Sequence, residues 1–114
     1  MGRAWRGAGM SIKTIGRCLG KADDGSLWFF CTGCNLPHSL NVGAGLGPRW
    51  GYNENADAPT FTPSVLSRYR MGNKEAVCHS FVTDGHIQYL SDCTHSLAGQ
   101  TVDLPEWEAA WNSW

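Results

Sequence analysis

Three short clusters of cysteine and histidine constrain the fold of this 114-residue chain more than any other feature of its sequence. The clusters are Cys31-x-x-Cys34, Cys78-His79 and Cys93-x-His95. A CxxC turn directs two thiolates at one metal ion, and a pair of residues from elsewhere in the chain completes a tetrahedral zinc site. The spacing therefore predicts a bound zinc ion that joins the segment around residues 31–34 to the segment 78–95.

The other uses of cysteine are disulfides, unligated thiols and redox chemistry. The chain has five cysteines, an odd number, and Cys18 stands apart from the clusters. The N-terminal segment has no apolar run long enough for a secretory signal or a membrane span, so a disulfide framework is not expected. A redox CxxC normally opens a helix, whereas this one follows the strand-like run 27–30 and precedes a turn at 35–37. We therefore expect zinc, with the other uses as alternatives.

The hairpin signal Asp84-Gly85 indicates which residues share a face. A two-residue turn there pairs residues whose numbers sum to 169 between 77 and 91. Cys78 and Cys93 then lie on one side, with His79 and Asp92 on the other. The expected zinc ligands are Cys31, Cys34, Cys78 and Cys93, with His38, His79 and His95 as alternates.

A site closed by four protein ligands performs no catalysis and stabilises the fold. If the chain is an enzyme, the candidate catalytic residues are His79, Asp92 and His95. In that alternative, zinc keeps an open position near His79, Cys93 and His95, and Asp92 orients His79 as a general base.

The fold class expected is mainly β, a small α+β domain of short antiparallel strands and a hairpin at 77–91 around the zinc site. Strands are expected within 11–18 and 26–31, a glycine-rich loop at 41–48, and an extended edge or binding lip at 59–66. The tail predicts a short helix with Asp103 as N-cap and an aromatic face of Trp107, Trp111 and Trp114 that docks on the core. Residues 1–10 are expected to be a flexible basic leader before a single domain at 11–114, with Met1 and Met10 both possible starts.

Charge weighs against a nucleic-acid role, although five of the nine basic residues lie in the first 21 positions. Residues 3–21, with Arg49, Arg68 and Arg70, are the candidate contacts in that alternative. A duplex requires a broad basic face, and the formal net charge is −1. A protein partner is favoured instead, at an exposed aromatic surface of Trp50, Tyr52 and Phe61.

The segment from Trp28 to about Trp107 resembles a family of small phage and prophage proteins of unassigned function. The similarity lies in Phe30-Cys-Thr-Gly-Cys34 with His38, in Pro59-Thr-Phe-Thr-Pro-Ser-Val-Leu66, and above all in the stretch from Cys78 to Pro105. The resemblance implies a phage or prophage origin and zinc binding, but it supplies no reaction. Some members carry a misleading ammonia monooxygenase label, which finds no support in this chain, since nothing in it resembles a copper or di-iron centre.

The sequence therefore predicts a phage-type zinc-binding protein that acts by binding, with structural zinc. Its partner is expected to be a host or phage protein, and its location the host cytoplasm or the phage particle, without secretion or a membrane span. The alternatives are the zinc-dependent hydrolase and a nucleic-acid-binding zinc ribbon.

Overall fold

Two antiparallel sheets form most of the fold in a computed structural model that describes residues 11–114. The expected leader at 1–10 lies outside the described residues. The first sheet has four strands in chain order. They are β1 (Ile12–Thr14), β2 (Gly20–Ala22), β3 (Leu27–Cys31) and β4 (Leu36–Leu40).

The second sheet has five strands, again in chain order. They are β5 (Gly51–Tyr52), β6 (Phe61–Met71), β7 (Lys74–Thr83), β8 (His86–Tyr89) and β9 (Thr101–Asp103). Strands β6 and β7 are the longest, at 11 and 10 residues. Their alternating buried and exposed positions give this sheet a core face and an outer face.

Aromatic side chains fill the space between the sheets. Phe29 of β3 stacks on Phe61 of β6 with ring centroids 6.4 Å apart, and both are buried. Helix α1 (Trp107–Ser113) covers the far side of β3, with Trp107 fully buried and Trp111 beside Trp28. A seven-residue helix is not stable alone, so this packing holds it in place.

The predicted mainly β fold, the hairpin and the docked C-terminal helix are confirmed. Thr83 pairs with His86, and Asp84 and Gly85 have φ values of 50° and 81°, as a two-residue turn requires. The pairing register is shorter than predicted. It ends at Ser80–Tyr89, because the chain turns at residues 90–93, where the Cys93 N–H donates to the Leu90 carbonyl.

Two further predictions about local structure need correction. Asp103 does not cap the helix, because it belongs to β9, and Glu106 occupies the N-cap position. The extended edge expected at 59–66 is found only in part, since β5 pairs with residues 61 and 62 of β6 and, among the described residues, no strand pairs with residues 63–66 on that side.

The one helix found among residues 11–114 is too short and too polar to cross a lipid bilayer.

Candidate catalytic triad and metal centre

A serine, a histidine and an aspartate form a continuous hydrogen-bonded row on the outer face of the second sheet. Ser64 Oγ lies 3.0 Å from His79 Nε2, and His79 Nδ1 lies 3.0 Å from Asp92 Oδ2. The His79 side chain is 25% exposed and that of Asp92 is 53% exposed, so the row is open to a molecule arriving from solvent.

An irregularity in β6 places Ser64 beside His79. Phe61 pairs with Val82 and Val65 with Ser80, so residues 62–64 of β6 stand opposite a single residue of β7. Such a bulge bends the strand and redirects a side chain. The Ser64 carbonyl is held from the other side by the indole N–H of Trp50, at 3.2 Å.

The chain after β8 brings Asp92 to the imidazole and fixes the histidine backbone. The Leu90 N–H donates to the His79 carbonyl at 2.8 Å, which brings the turn at 90–93 against β7. Cys93 Sγ accepts the His79 N–H at 3.2 Å and donates to the His79 carbonyl at 3.2 Å. His79 is therefore held by contacts on its backbone and on both ring nitrogens.

This row has the connectivity of a nucleophile, a general base and an orienting carboxylate. In such a triad, Nε2 of the histidine takes the serine proton while the carboxylate on Nδ1 fixes the tautomer and stabilises the imidazolium. Ser64, His79 and Asp92 have the same atom-to-atom pattern within hydrogen-bond reach. The arrangement can carry out acyl transfer through Ser64.

Four other side chains converge on the core side of the same strand. The ligand atoms of Cys31, Cys34, Cys78 and His95 all lie within 4.8 Å of one another, close enough to hold one metal ion. The sulfurs of Cys31 and Cys78 are 3.8 Å apart. Two sulfurs bound at about 2.3 Å to one tetrahedral ion lie about 3.8 Å apart, so the spacing matches a shared ion.

The surroundings of the four residues also fit a metal. His95 Nε2 is buried without a hydrogen-bond partner among the described residues, which costs about 1–3 kcal/mol if nothing binds it. Gly33 allows the ring to lie against the CxxC turn, because a Cβ there would overlap the imidazole of His95. Tyr89 Oη lies 3.2 Å from Cys31 Sγ and accepts the Gly33 N–H at 3.0 Å.

The thiols share hydrogen bonds in a way that favours a thiolate at Cys31. Hydrogen bonds from Cys34 and Cys78 hold the pKa of Cys31 far below its ordinary value, against the effect of burial. Hydrogen bonds to Cys31 and Cys34, together with burial, raise the pKa of Cys78. Burial lowers the pKa of His38, but the adjacent sulfurs of Cys31 and Cys34 raise it, with a net value of about 9.

The structure brings together three of the four expected cysteine ligands, with His95 in place of Cys93. The turn at 90–93 moves Cys93 to the backbone of His79 and carries His95 to the CxxC turn, beside Tyr89. His38 lies next to the group but outside it. Cys18 is buried elsewhere in the core, with its Sγ 3.5 Å from the Asp57 carbonyl.

The open zinc site expected near His79, Cys93 and His95 does not form. His79 bonds to Ser64 and Asp92 on the outer face, whereas His95 joins the cysteines. Consecutive residues of a strand point to opposite faces, so Cys78 and His79 serve different sites. The expected pairing of Asp92 with His79 is present, but with a serine as its third member rather than zinc.

The expected aromatic surface is also corrected. Phe61 is 1% exposed, and Tyr52 stacks on it at 5.3 Å, so Phe61 has no surface to offer a partner. Trp50 remains half-buried and contacts Ser64. Sequence reasoning missed Ser64, although this serine lies in the stretch 59–66 that was expected to be an edge or a binding lip. Its one signal is its nearness to the Asp92–His79 pair, and that nearness depends on how β6 pairs with β7.

Comparison with known proteins gives a family match. The model of a family described as bacterial ubiquitination-like system serine protease (BubE) matches residues 10–90. That range contains Ser64, His79 and the three clustered cysteines, and it ends shortly before Asp92. No curated protein and no solved structure matches the chain significantly. The resemblance to phage and prophage proteins stays a prediction.

Proposed function

We propose that this chain, which belongs to the BubE family of bacterial ubiquitination-like system serine proteases, hydrolyses amide bonds with Ser64 as its nucleophile. The observation that carries the proposal is the Ser64–His79–Asp92 row, with both hydrogen bonds at 3.0 Å. The family description supports a protein substrate from a ubiquitination-like system.

The reaction uses each member of the row in turn. Ser64 Oγ attacks the substrate carbonyl carbon while its proton passes to His79 Nε2. The carbon–nitrogen bond then breaks, the proton passes from His79 to the leaving amine, and an acyl-enzyme remains on Ser64. Water, deprotonated by His79, hydrolyses that ester and restores Ser64. Asp92 accepts the Nδ1 hydrogen bond throughout and stabilises the imidazolium.

The prediction of a protein that acts only by binding is wrong. The family match overturns it, because it indicates a hydrolase rather than an accessory factor. The sequence argument paired Asp92 with His79 but did not supply the nucleophile, because Ser64 was not among the candidate residues. The nucleic-acid-binding zinc ribbon is set aside on the same ground. The open-site zinc hydrolase is set aside because His79 and His95 belong to different groups.

We further propose that the metal is zinc and that it stabilises the fold. Three cysteines and one histidine at tetrahedral spacing form a donor set typical of structural Zn²⁺. Four protein ligands leave no position for a reacting water, so the chemistry belongs to Ser64. Elemental analysis of purified protein is expected to find one zinc per chain, and a folded, metal-free protein would contradict this assignment.

Hydrolysis of a peptide library by the full-length chain tests the proposal. Ser64→Ala is expected to lower the cleavage rate by at least about 10³-fold, because it removes the nucleophile. Its matched control is Ser11→Ala, a change at an exposed serine at the start of the described chain. Cleavage that survives Ser64→Ala in a folded protein would disprove the role of Ser64.

A further inference from the structure

A cleft of about 390 Å³ opens between β4 of the first sheet and β6 of the second. Residues 65–67 and 69 of β6 line one side, beginning with Val65, the residue after Ser64, and the whole of β4 from Leu36 to Leu40 lines the other. Trp50 also lines the cleft and donates its indole N–H to the Ser64 carbonyl. Ser64 itself does not line the cleft, so the cleft adjoins the nucleophile through Val65 and Trp50.

Strand β4 presents an unpaired backbone edge to this cleft. It is the last strand of its sheet, and among residues 11–114 its outer side pairs only beyond its end, through a bridge from Val42 to Trp50. The Asn41 carbonyl accepts the Trp50 N–H on that side, at 2.9 Å. Backbone groups alternate between the two sides of a strand, so residues 37 and 39 point the same way as residue 41.

The position of Pro37 supports this orientation of the backbone groups. Proline has no N–H and is found in sheets where its nitrogen faces away from a neighbouring strand. Ser39 is then the position at which both the N–H and the carbonyl face the cleft, while the carbonyl of Pro37 adds a second acceptor. An extended chain placed beside β4 would bond to these groups as an added strand.

The lining of the cleft restricts the side chains that can enter it. Among the described residues that form it, none is Asp, Glu, Lys or Arg, the one histidine, His38, is buried beside Cys31 and Cys34, and most of the others are apolar. Burying an unpaired charge there is costly, whereas apolar side chains gain from leaving water.

We infer that this cleft binds the acyl side of the substrate as an extended strand along β4, and that it selects uncharged, apolar side chains. The inference rests on the proposed function, because the position of the acyl segment follows from its bond to Ser64. The acyl part stays on the enzyme through both halves of the reaction, so it is the part that a fixed cleft must hold.

Covalent probes of Ser64 test the inference on the full-length, zinc-loaded chain. Diisopropyl fluorophosphate carries no peptide and measures the reactivity of Ser64 alone. Three peptidyl diphenyl phosphonates, with three apolar, three acidic or three basic residues, measure the cleft. The apolar probe is expected to react at least about tenfold faster than either charged probe. Equal rates for the three probes would overturn the inference while leaving the proposed function intact.

A proline variant separates the β4 edge from the rest of the cleft. Ser39→Pro removes the N–H that faces the cleft, and it is expected to lower the rate of the apolar peptidyl probe relative to diisopropyl fluorophosphate by about five- to tenfold. The matched control, Thr14→Pro, lies on the opposite edge strand of the same sheet, at a position whose N–H faces away from β2, and it is expected to keep the wild-type ratio. An unchanged ratio in a folded Ser39→Pro protein would overturn the pairing with β4.

Two remaining outcomes are also decisive. If Ser39→Pro does not fold, as circular dichroism would show, the three wild-type probe rates decide the inference by themselves. If diisopropyl fluorophosphate does not modify Ser64 in folded protein, the proposed function fails first, and the cleft loses its role with it.

Discussion

At the scale of single residues, the function depends on which partner each histidine has. His79 and His86 both bond through Nδ1 to an aspartate, at 3.0 Å to Asp92 and 2.7 Å to Asp103. His79 Nε2 also reaches Ser64, which makes that pair a catalytic candidate. The chain thus contains two similar histidine–aspartate pairs, and one of them serves as an internal control.

The carboxylate of Asp92 is expected to be needed for turnover but not for folding. Asp92→Asn keeps the shape of the side chain but removes the charge that stabilises the imidazolium, so the cleavage rate is expected to fall by about 10²- to 10⁴-fold. Asp103→Asn makes the same change in the His86 pair and is expected to keep the wild-type rate. Equal losses in the two variants would show that the Asp92 effect is not specific to the triad.

The assignment of the fourth metal ligand predicts different outcomes for Cys93 and His95. Cys93→Ala removes two hydrogen bonds from the His79 backbone, so it is expected to lower activity about tenfold while zinc content stays at one per chain. His95→Ala is expected to lose zinc, because it removes a ligand. Zinc content measured by atomic emission separates the two, and loss of zinc from the Cys93 variant would restore Cys93 as a ligand.

At the scale of the elements, strand β7 serves both sites at once. Cys78 faces the metal group and His79 faces Ser64, so alternation along one strand places them on opposite faces of the sheet. The segment 90–95 supplies a residue to each site, Asp92 to His79 and His95 to the metal group. A bound ion is therefore expected to fix the spacing of the triad from the far side of the sheet.

The hairpin between β7 and β8 sets this register, and Gly85 is its most constrained position. Gly85 has φ +81°, and a Cβ there would approach Ala58 Cα at 3.1 Å. Gly85→Ala is expected to destabilise the fold by about 1–2 kcal/mol or more, measured by urea unfolding. Gly25→Ala is the matched change, since Gly25 has φ +88° with open space around it, and it is expected to cost less. A smaller loss at Gly85 would contradict the close packing of the turn.

The sequence could predict the elements better than the site. The Asp84-Gly85 turn and the CxxC turn are local, so their residue types alone predict their geometry. The place of Ser64, one of nine serines, depends on an interrupted ladder between β6 and β7 that no short motif indicates. His95 replaces Cys93 as the fourth metal ligand because the chain turns at 90–93. Extending the pairing register of the hairpin beyond residue 89 does not predict this turn.

At the scale of the whole molecule, the metal group connects the two sheets. The metal group ties the turn between β3 and β4 in the first sheet to β7 and the segment after β8. A domain of 114 residues has a modest core, so a structural metal contributes a large part of its stability.

Removal of the metal is therefore expected to lower stability and activity together. A strong zinc chelator is expected to lower the melting temperature and to abolish cleavage, with both restored by added Zn²⁺. Melting temperature and peptide cleavage measured on the same samples check this. If cleavage continued at the wild-type rate after removal of the zinc, the activity of the triad would not depend on the metal group.

The most direct test of the central claim is the site at which diisopropyl fluorophosphate modifies the folded, zinc-loaded chain. Mass spectrometry of the digested protein is expected to find a single adduct on Ser64, because among the serines of residues 11–114 only this one has a histidine placed to take its proton. His79→Ala is expected to abolish the adduct. A folded wild-type protein that remains unmodified, or an adduct on another residue, would contradict the account.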